Sequence, residues 1–500
     1  MKLNKLRFIA IFLVVFLFCS CSERDSEYER LLNAQGYTGA DFTKYSMVSQ
    51  VSAPQTPDGQ VPLDNEQTES DGEQSAVIDE TAGITETLVT PFSTTAVTGI
   101  TTTETATATV STTSTVTTTV STTTSTVSTT TSTVATTVST TTATTTTPAK
   151  YTPLNYSEVR GVWISYLELK SAFSGGESFR AAFAKMMDNC KALGINTVYV
   201  HVRAFGDAFY QSELFPWSKY ITGSLGVAPD YDPLAIMTEE AHSRGISFHG
   251  WINPMRLPAA ADINKVSADF PVGKWYNGDY NGTYIVKAGE FYYLNPAYPE
   301  ARRLIADGAA EILKNYEVDG LHIDDYFYPP SCANTFDGVA FSKSGKTDVS
   351  EFRLENCTAM VKLLYDTVKG INPSLLFGIS PQGSVSNCYD IYADVKLWAS
   401  KAGYCDYIAP QIYYGFKNAA QPFDKCLSGW EDIVKSGKVK LIPGLAVYKV
   451  GNVDAWAGES GKNEWINSDD IIKRQVELSK NAANYGGVIF YSYNYLTGGY

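Results

Sequence analysis

The sequence predicts an α/β fold, a (β/α)8 TIM barrel over residues 148–500, preceded by a disordered Thr/Ser-rich stalk. Three observations predict it. Beyond about residue 150, apolar strand-like runs alternate with amphipathic helix-like segments, the pattern of a parallel sheet built from βα units. Eight such runs fit into the last 353 residues, the strand count and size of a closed barrel. No G-x-G-x-x-G and no P-loop follows an early strand, so a doubly wound nucleotide-binding sheet has no support.

The elements follow in order. Lys2, Lys5 and Arg7 precede an apolar run of eleven residues, Phe8 to Phe18, too short to span a bilayer and suited to a signal peptide. The run ends in Phe18-Cys19-Ser20-Cys21, which resembles a bacterial lipobox. The expectation is a lipoprotein signal peptide over 1–20, lipidation of Cys21, and a membrane contact through that lipid anchor, with plain secretion as the alternative. Residues 21–147 read as a disordered linker, first acidic and then almost wholly Thr, Ser, Val and Ala from Thr101 to Thr147. Of the net charge of -14, residues 22–147 carry 15 acids against 3 bases. The barrel region holds 38 acids and 33 bases, and nothing in it forms the basic face that nucleic acid would require.

The eight predicted strands are 160–165, 197–203, 246–253, 320–325, 376–380, 407–413, 440–448 and 487–493. Helices are expected at 179–193, 233–244, 299–316, 351–369 and 468–484, with Gly194 and Gly245 as C-terminal caps. Tyr500 follows the eighth strand closely, so no eighth helix is expected, and residues 148–159 or a partner would cover that flank.

In such barrels chemistry sits at the C-terminal ends of the strands. The second strand ends in Tyr199, His201 and Arg203 on one face, followed by Asp207. The third supplies Trp251, Asn253 and then Arg256; the fourth His322, Asp324, Asp325 and Tyr326; the fifth Gln382; the sixth Gln411 and Tyr413; the seventh Tyr448. Carboxylates, amides and rings around one mouth suit a polysaccharide, because rings stack on pyranose faces and amides bond hydroxyls. For single residues, Trp251 and Tyr199 in particular, a core role stays open. Within Val318-Asp-Gly-Leu-His-Ile-Asp-Asp-Tyr-Phe-Tyr-Pro329, alternation turns Gly320, His322 and Asp324 toward the barrel axis and leaves Asp325 at the rim. Adjacent carboxylates shift each other's pKa, and one protonated beside one ionised is what glycosidic cleavage uses. Asp324 is expected to stabilise positive charge at the anomeric carbon. Asp325 is the first candidate proton donor, and Asp207 or Glu213 the second.

Taken together, RGVWIS, LGINTVYVHVR, ELFPWSKYITG, YDPLAIMTEEAHSRG, FHGWINPMR, VDGLHIDDYFYP, FGISPQG, YIAPQIYYGF and LIPGLAVYKVG, in that order, resemble the bacterial glycosyl hydrolase-like 10 family over residues 158–496. The resemblance implies a (β/α)8 barrel in envelope lipoproteins or secreted proteins. It also implies action on peptidoglycan glycan strands stripped of stem peptides. Its blocks at the barrel mouth place Asn253, Arg256, Asp324, Asp325, Tyr326, Gln411 and Tyr413 in the site. The fourth strand is also distantly similar to amylase-like and chitinase-like patterns. Against the latter, His322 replaces an Asp and Tyr326 stands where the acid Glu would be.

Two further chemistries were weighed. His201, His249 and His322 lie on consecutive strands and with Asp324 could bind zinc, but no H-x-H or H-E-x-x-H spacing exists, so no metal and no cofactor is expected. Six cysteines follow residue 148 without C-x-x-C spacing, and their even number permits disulfides in fifteen pairings. The expected function is glycoside hydrolysis of cell-wall or related glycans by carboxylates at the mouth; the alternative is a non-catalytic glycan-binding lipoprotein.

Overall fold

A computed structural model describes residues 151–173, 175–435 and 437–497. The expected signal peptide, lipidation of Cys21 and stalk fall outside the described residues. No helix among the described residues is long and apolar enough to cross a membrane.

The described chain forms a parallel barrel. Its strands are β1 (Val159–Ile164), β2 (Thr197–Arg203), β3 (Ser247–Ile252), β7 (Gly320–Ile323), β8 (Leu376–Ile379), β9 (Tyr407–Ile408), β10 (Lys440–Leu441), β11 (Gly444–Ala446) and β12 (Gly487–Tyr491). The sheet runs β10-β9-β8-β7-β3-β2-β1-β12-β11. Its two ends, β10 and β11, are consecutive pieces of the predicted seventh strand, interrupted at Pro443. Ile442 N–H and Gly444 N–H donate to Ile408 and Pro410 on one side, while Gly486 N–H and Ile489 N–H donate to Leu441 and Pro443 on the other. One stretch therefore bonds both neighbours and closes the ring. The predicted sixth strand shortens to β9 because Pro410 has no N–H for the ladder. A further bridge re-forms at Gln411.

Six longer helices flank the sheet: α1 (Gly176–Ala192), α2 (Pro233–His242), α3 (Pro299–Asn315), α4 (Val349–Ile371), α5 (Phe423–Val434) and α6 (Ile471–Lys480). Their starts are chemically marked. The Asp232 carboxylate accepts from Leu234 and Ala235 N–H with Pro233 in the first turn, and Asp348 caps α4 on Ser350 and Glu351. Gly194 and Gly245 take positive φ of 74° and 68° just beyond α1 and α2, as expected of C-terminal caps.

Rings fill the barrel interior because small residues face them. A Cβ at Gly378 would fall 1.8 Å from the Tyr407 ring, and one at Gly444 would fall 2.7 Å from Trp163. Trp163 Nε1–H donates to His322 Nε2 (3.1 Å), which leaves the proton of neutral His322 on Nδ1, facing the Tyr407 hydroxyl at 3.1 Å. The same hydroxyl lies 3.0 Å from His249 Nδ1.

Residues 151–158 cross the N-terminal end of the barrel instead of covering the flank of the eighth strand. Asp319, just before β7, anchors them: it accepts from Tyr151 Oη (2.6 Å) and Leu154 N–H (2.5 Å), and also from Phe248 N–H (2.6 Å). After β12 comes a short helix, Tyr493–Thr497, whose Asn494 N–H donates to Glu168 Oε1 at 2.8 Å.

One unit was not anticipated. Between β3 and α3, β4 (Arg256–Ala259), β5 (Ile285–Ala288) and β6 (Phe291–Leu294) form a three-stranded antiparallel sheet in the order β4-β6-β5. It begins at the mouth with Arg256.

Candidate active site

β7 ends at Ile323, so Asp324 and Asp325 stand just beyond the strand at the C-terminal mouth. Both are buried. Asp324 Oδ2 accepts the Trp251 indole N–H at 3.0 Å and Oδ1 accepts the Tyr326 N–H at 3.2 Å. Asp325 Oδ1 accepts from Gln411 Nε2 at 3.2 Å, and the same amide nitrogen donates to Ser380 O at 3.2 Å. Burial and the neighbouring Asp325 charge push the Asp324 carboxyl well above the ordinary carboxylate range, against the smaller opposing pull of Tyr326 N–H, Trp251 and Arg256. Alternation along the chain shows the direction of these side chains but not their depth of burial.

Around the pair the third strand supplies a rigid wall. The His201 ring stacks on Trp251 with centroids 3.4 Å apart. His201 Nε2–H donates to Asn253 Oδ1 (2.8 Å), and Asn253 Nδ2 donates to Ala204 O (3.0 Å). Burial holds His201 neutral, its pKa lowered to about 3. Arg256 lies against three rings, 4.0 Å from the Phe291 centroid, 4.5 Å from Phe205 and 4.7 Å from Tyr326. The opposite wall is aromatic. Tyr413 meets Trp163, Tyr448 and Tyr491 at centroid distances of 6.5, 6.0 and 5.5 Å.

The profile of the glycosyl hydrolase-like 10 family matches residues 158–458, which include β7 and every wall just described except Tyr491. The chain belongs to this family. It is 34% identical over 359 residues to the glycosyl hydrolase YngK of Bacillus subtilis, covering 66% of this chain and 68% of that one. It is 30% identical over 388 residues to the glycosyl hydrolase DigH of Escherichia coli, covering 70% and 86%. Among solved structures it is similar to the glycoside hydrolase domain of PgaB (BpsB) from Bordetella bronchiseptica, with 13% identity, a TM-score of 0.46, and coverage of 68% of this chain and 95% of that one. The family and the two glycosyl hydrolases of Bacillus subtilis and Escherichia coli make the chain a glycoside hydrolase by class.

Within this family member, the structure brings together His201, Trp251, Asn253, Arg256, Asp324, Asp325, Tyr326 and Gln411 through the contacts above, and Tyr413 with Tyr448 across the mouth. Gln382 is half-buried and joins only by a backbone bridge to Gln411. Three expected site residues take other contacts. The β2 register slips between His201 and Arg203, so Arg203 leaves the inward face and packs under α3, with Nη2 3.4 Å from Ile305 O and its guanidinium 4.5 Å from the Phe215 centroid. Asp207 is occupied as a loop staple, accepting Phe205 N–H (2.9 Å) and Ala204 N–H (3.2 Å). Glu213 is exposed, and its N–H is tied to Glu311 of α3 at 2.7 Å. His249 and His322 share the Tyr407 hydroxyl, and among the described residues no group of three His, Cys, Asp or Glu side chains could hold a metal ion. The six cysteines here are free thiols. Trp163 was missed, although the alternation of Gly161, Trp163 and Ser165 could have found it. Phe291 carried no signal, because its place depends on the added sheet.

Proposed function

We propose that this protein hydrolyses glycosidic bonds in bacterial cell-wall glycans, with Asp324 and Asp325 as the working carboxyl pair. The observation that carries the reading is the pair itself: two consecutive buried carboxyls at the end of β7, with Asp324 pushed well above the ordinary carboxylate range by burial and by its neighbour. Asp324 supplies the proton to the leaving oxygen. Asp325, oriented by Gln411, opposes the positive charge that develops at the anomeric carbon, or orients a substrate acetamido group that does so. Trp251, stacked on neutral His201, holds Asp324 in place, and the Arg256 charge acts on it. Tyr413, Tyr448 and Trp163 offer ring faces and edges to sugars. Tethering to the membrane through Cys21 would keep the barrel near the wall, and Cys21→Ala would then release the protein from membranes or leave its signal uncut.

The test is incubation with labelled peptidoglycan glycan strands, followed by mass spectrometry for new reducing ends. Cleavage that is lost in Asp324→Asn while glycan affinity survives supports the reading. Binding without cleavage by the parent protein would return the family member to the glycan-binding alternative.

A further inference from the structure

Beside the carboxyl pair lies a separate hollow. A cavity of about 220 Å³ opens between the loop after β2, which carries Phe205, Asp207 and Lys219, and the added sheet, which carries Arg256 and Phe291. Its walls are rings. The Tyr166 centroid lies 4.6 Å from Tyr220 and 5.1 Å from Phe205, and Phe205 lies 6.0 Å from Phe291. Arg256 joins the hollow to the mouth, since its charge also acts on Asp324.

The polar groups of the hollow are unbalanced: its acceptors are spent and its donors are not. Asp207 takes two loop N–H groups and the Ser218 hydroxyl. Asp262 takes two ammonium groups, Lys219 at 2.7 Å and Lys265 at 2.5 Å, so that cluster keeps one positive charge. Lys219 gives one of its three protons to Asp262. Arg256 is buried, and its Nε–H has no hydrogen-bond partner. The rings of Phe205 and Phe291 lie against its guanidinium. A ring-walled hollow with spare cationic donors favours a charged oxygen acceptor.

We propose that this hollow is an anion-selecting subsite that takes a carboxylate-bearing substituent of the glycan, with Arg256 and Lys219 as its ligands. The inference rests on the hydrolase reading of the mouth and adds the charge of the sugar bound beside the point of cleavage.

The test compares two tetrasaccharides of N-acetylhexosamines, one with free carboxylates on alternate sugars and one with the same groups converted to primary amides. The parent protein should favour the acid form in kcat/KM by roughly 10- to 100-fold, the range for a charge-assisted hydrogen bond. Lys219→Met should narrow that ratio toward one. The affinity of both ligands for Asp324→Asn protein is measured by calorimetry, with and without Lys219→Met. Equal cleavage of the two forms overturns the subsite and leaves the hydrolase reading standing. If neither is cleaved, that reading falls and the calorimetric arm decides. A preference for the acid form that Lys219→Met reduces upholds the subsite; equal affinities, or no binding of either, overturns it.

Discussion

The segment that follows β7 contains two acidic sites of opposite character. At its start Asp324 and Asp325 are buried side by side and accept hydrogen bonds from an indole, a backbone N–H and an amide. Further along, Asp337 is buried against Arg353, which donates Nε and Nη2 to its two oxygens at 2.9 and 2.7 Å. Both side chains of that pair are 0% exposed. Arg353 also reaches Cys332 O, Ala333 O and the Tyr392 hydroxyl, so a single guanidinium ties the whole loop to α4. The same residue type is thus a proposed acid in one place and a fastener in the other. The difference lies in the partner: Asp337 meets a bidentate guanidinium, whereas Asp324 is buried beside a second carboxyl that pushes its pKa up.

The comparison can be broken in three places. The largest effect is expected at the fastener. Asp337→Ala strands Arg353 as a buried unpaired charge and should cost about 3–5 kcal/mol, read as a lower midpoint in chemical denaturation. A midpoint within error of the parent would show that the loop does not depend on the pair.

Asp324→Asn should act the other way. Turnover on glycan strands should drop on the order of 10²–10⁴, the usual contribution of a positioned general acid, with little change in affinity. Stability should rise. The Asp324 pKa is raised in the folded state, so above the ordinary carboxylate range the unfolded chain ionises more readily, and ionisation favours unfolding. An Asn has no proton to lose. The gain in Tm should therefore be greater at neutral pH than near about pH 4. A Tm that falls in step with Asp337→Ala would make both acids structural.

The smallest effect is expected at Trp251. Its indole N–H favours the ionised form of Asp324, so Trp251→Phe should raise the Asp324 pKa further. The alkaline limb of the kcat/KM profile should then move to higher pH. A limb that stays fixed would detach that limb from Asp324.

Much of this was legible in the chain itself. Alternating apolar runs located all eight barrel strands, because a strand buried on both faces must be written in apolar residues whatever surrounds it. The C-terminal caps at Gly194 and Gly245 are local chemistry, and both take the positive φ expected of them. The blocks around β7 placed Asp324, Asp325, Tyr326 and Gln411 at one mouth, since strand direction alone sends those ends to the same side. Tertiary structure decided the rest. The register slip that turns Arg203 outward arises from pairing with β3, which a period-two pattern along β2 does not contain. Asp207 reads as a free carboxylate until the loop closes around it. The sheet that carries Phe291 to Arg256 is assembled from three short strands of weak pattern, so the hollow between it and the loop after β2 exists only once both have folded. Which carboxyl keeps the proton is likewise a property of depth and neighbours. Residue type sets what each group can do, and packing sets the water and the charges around it.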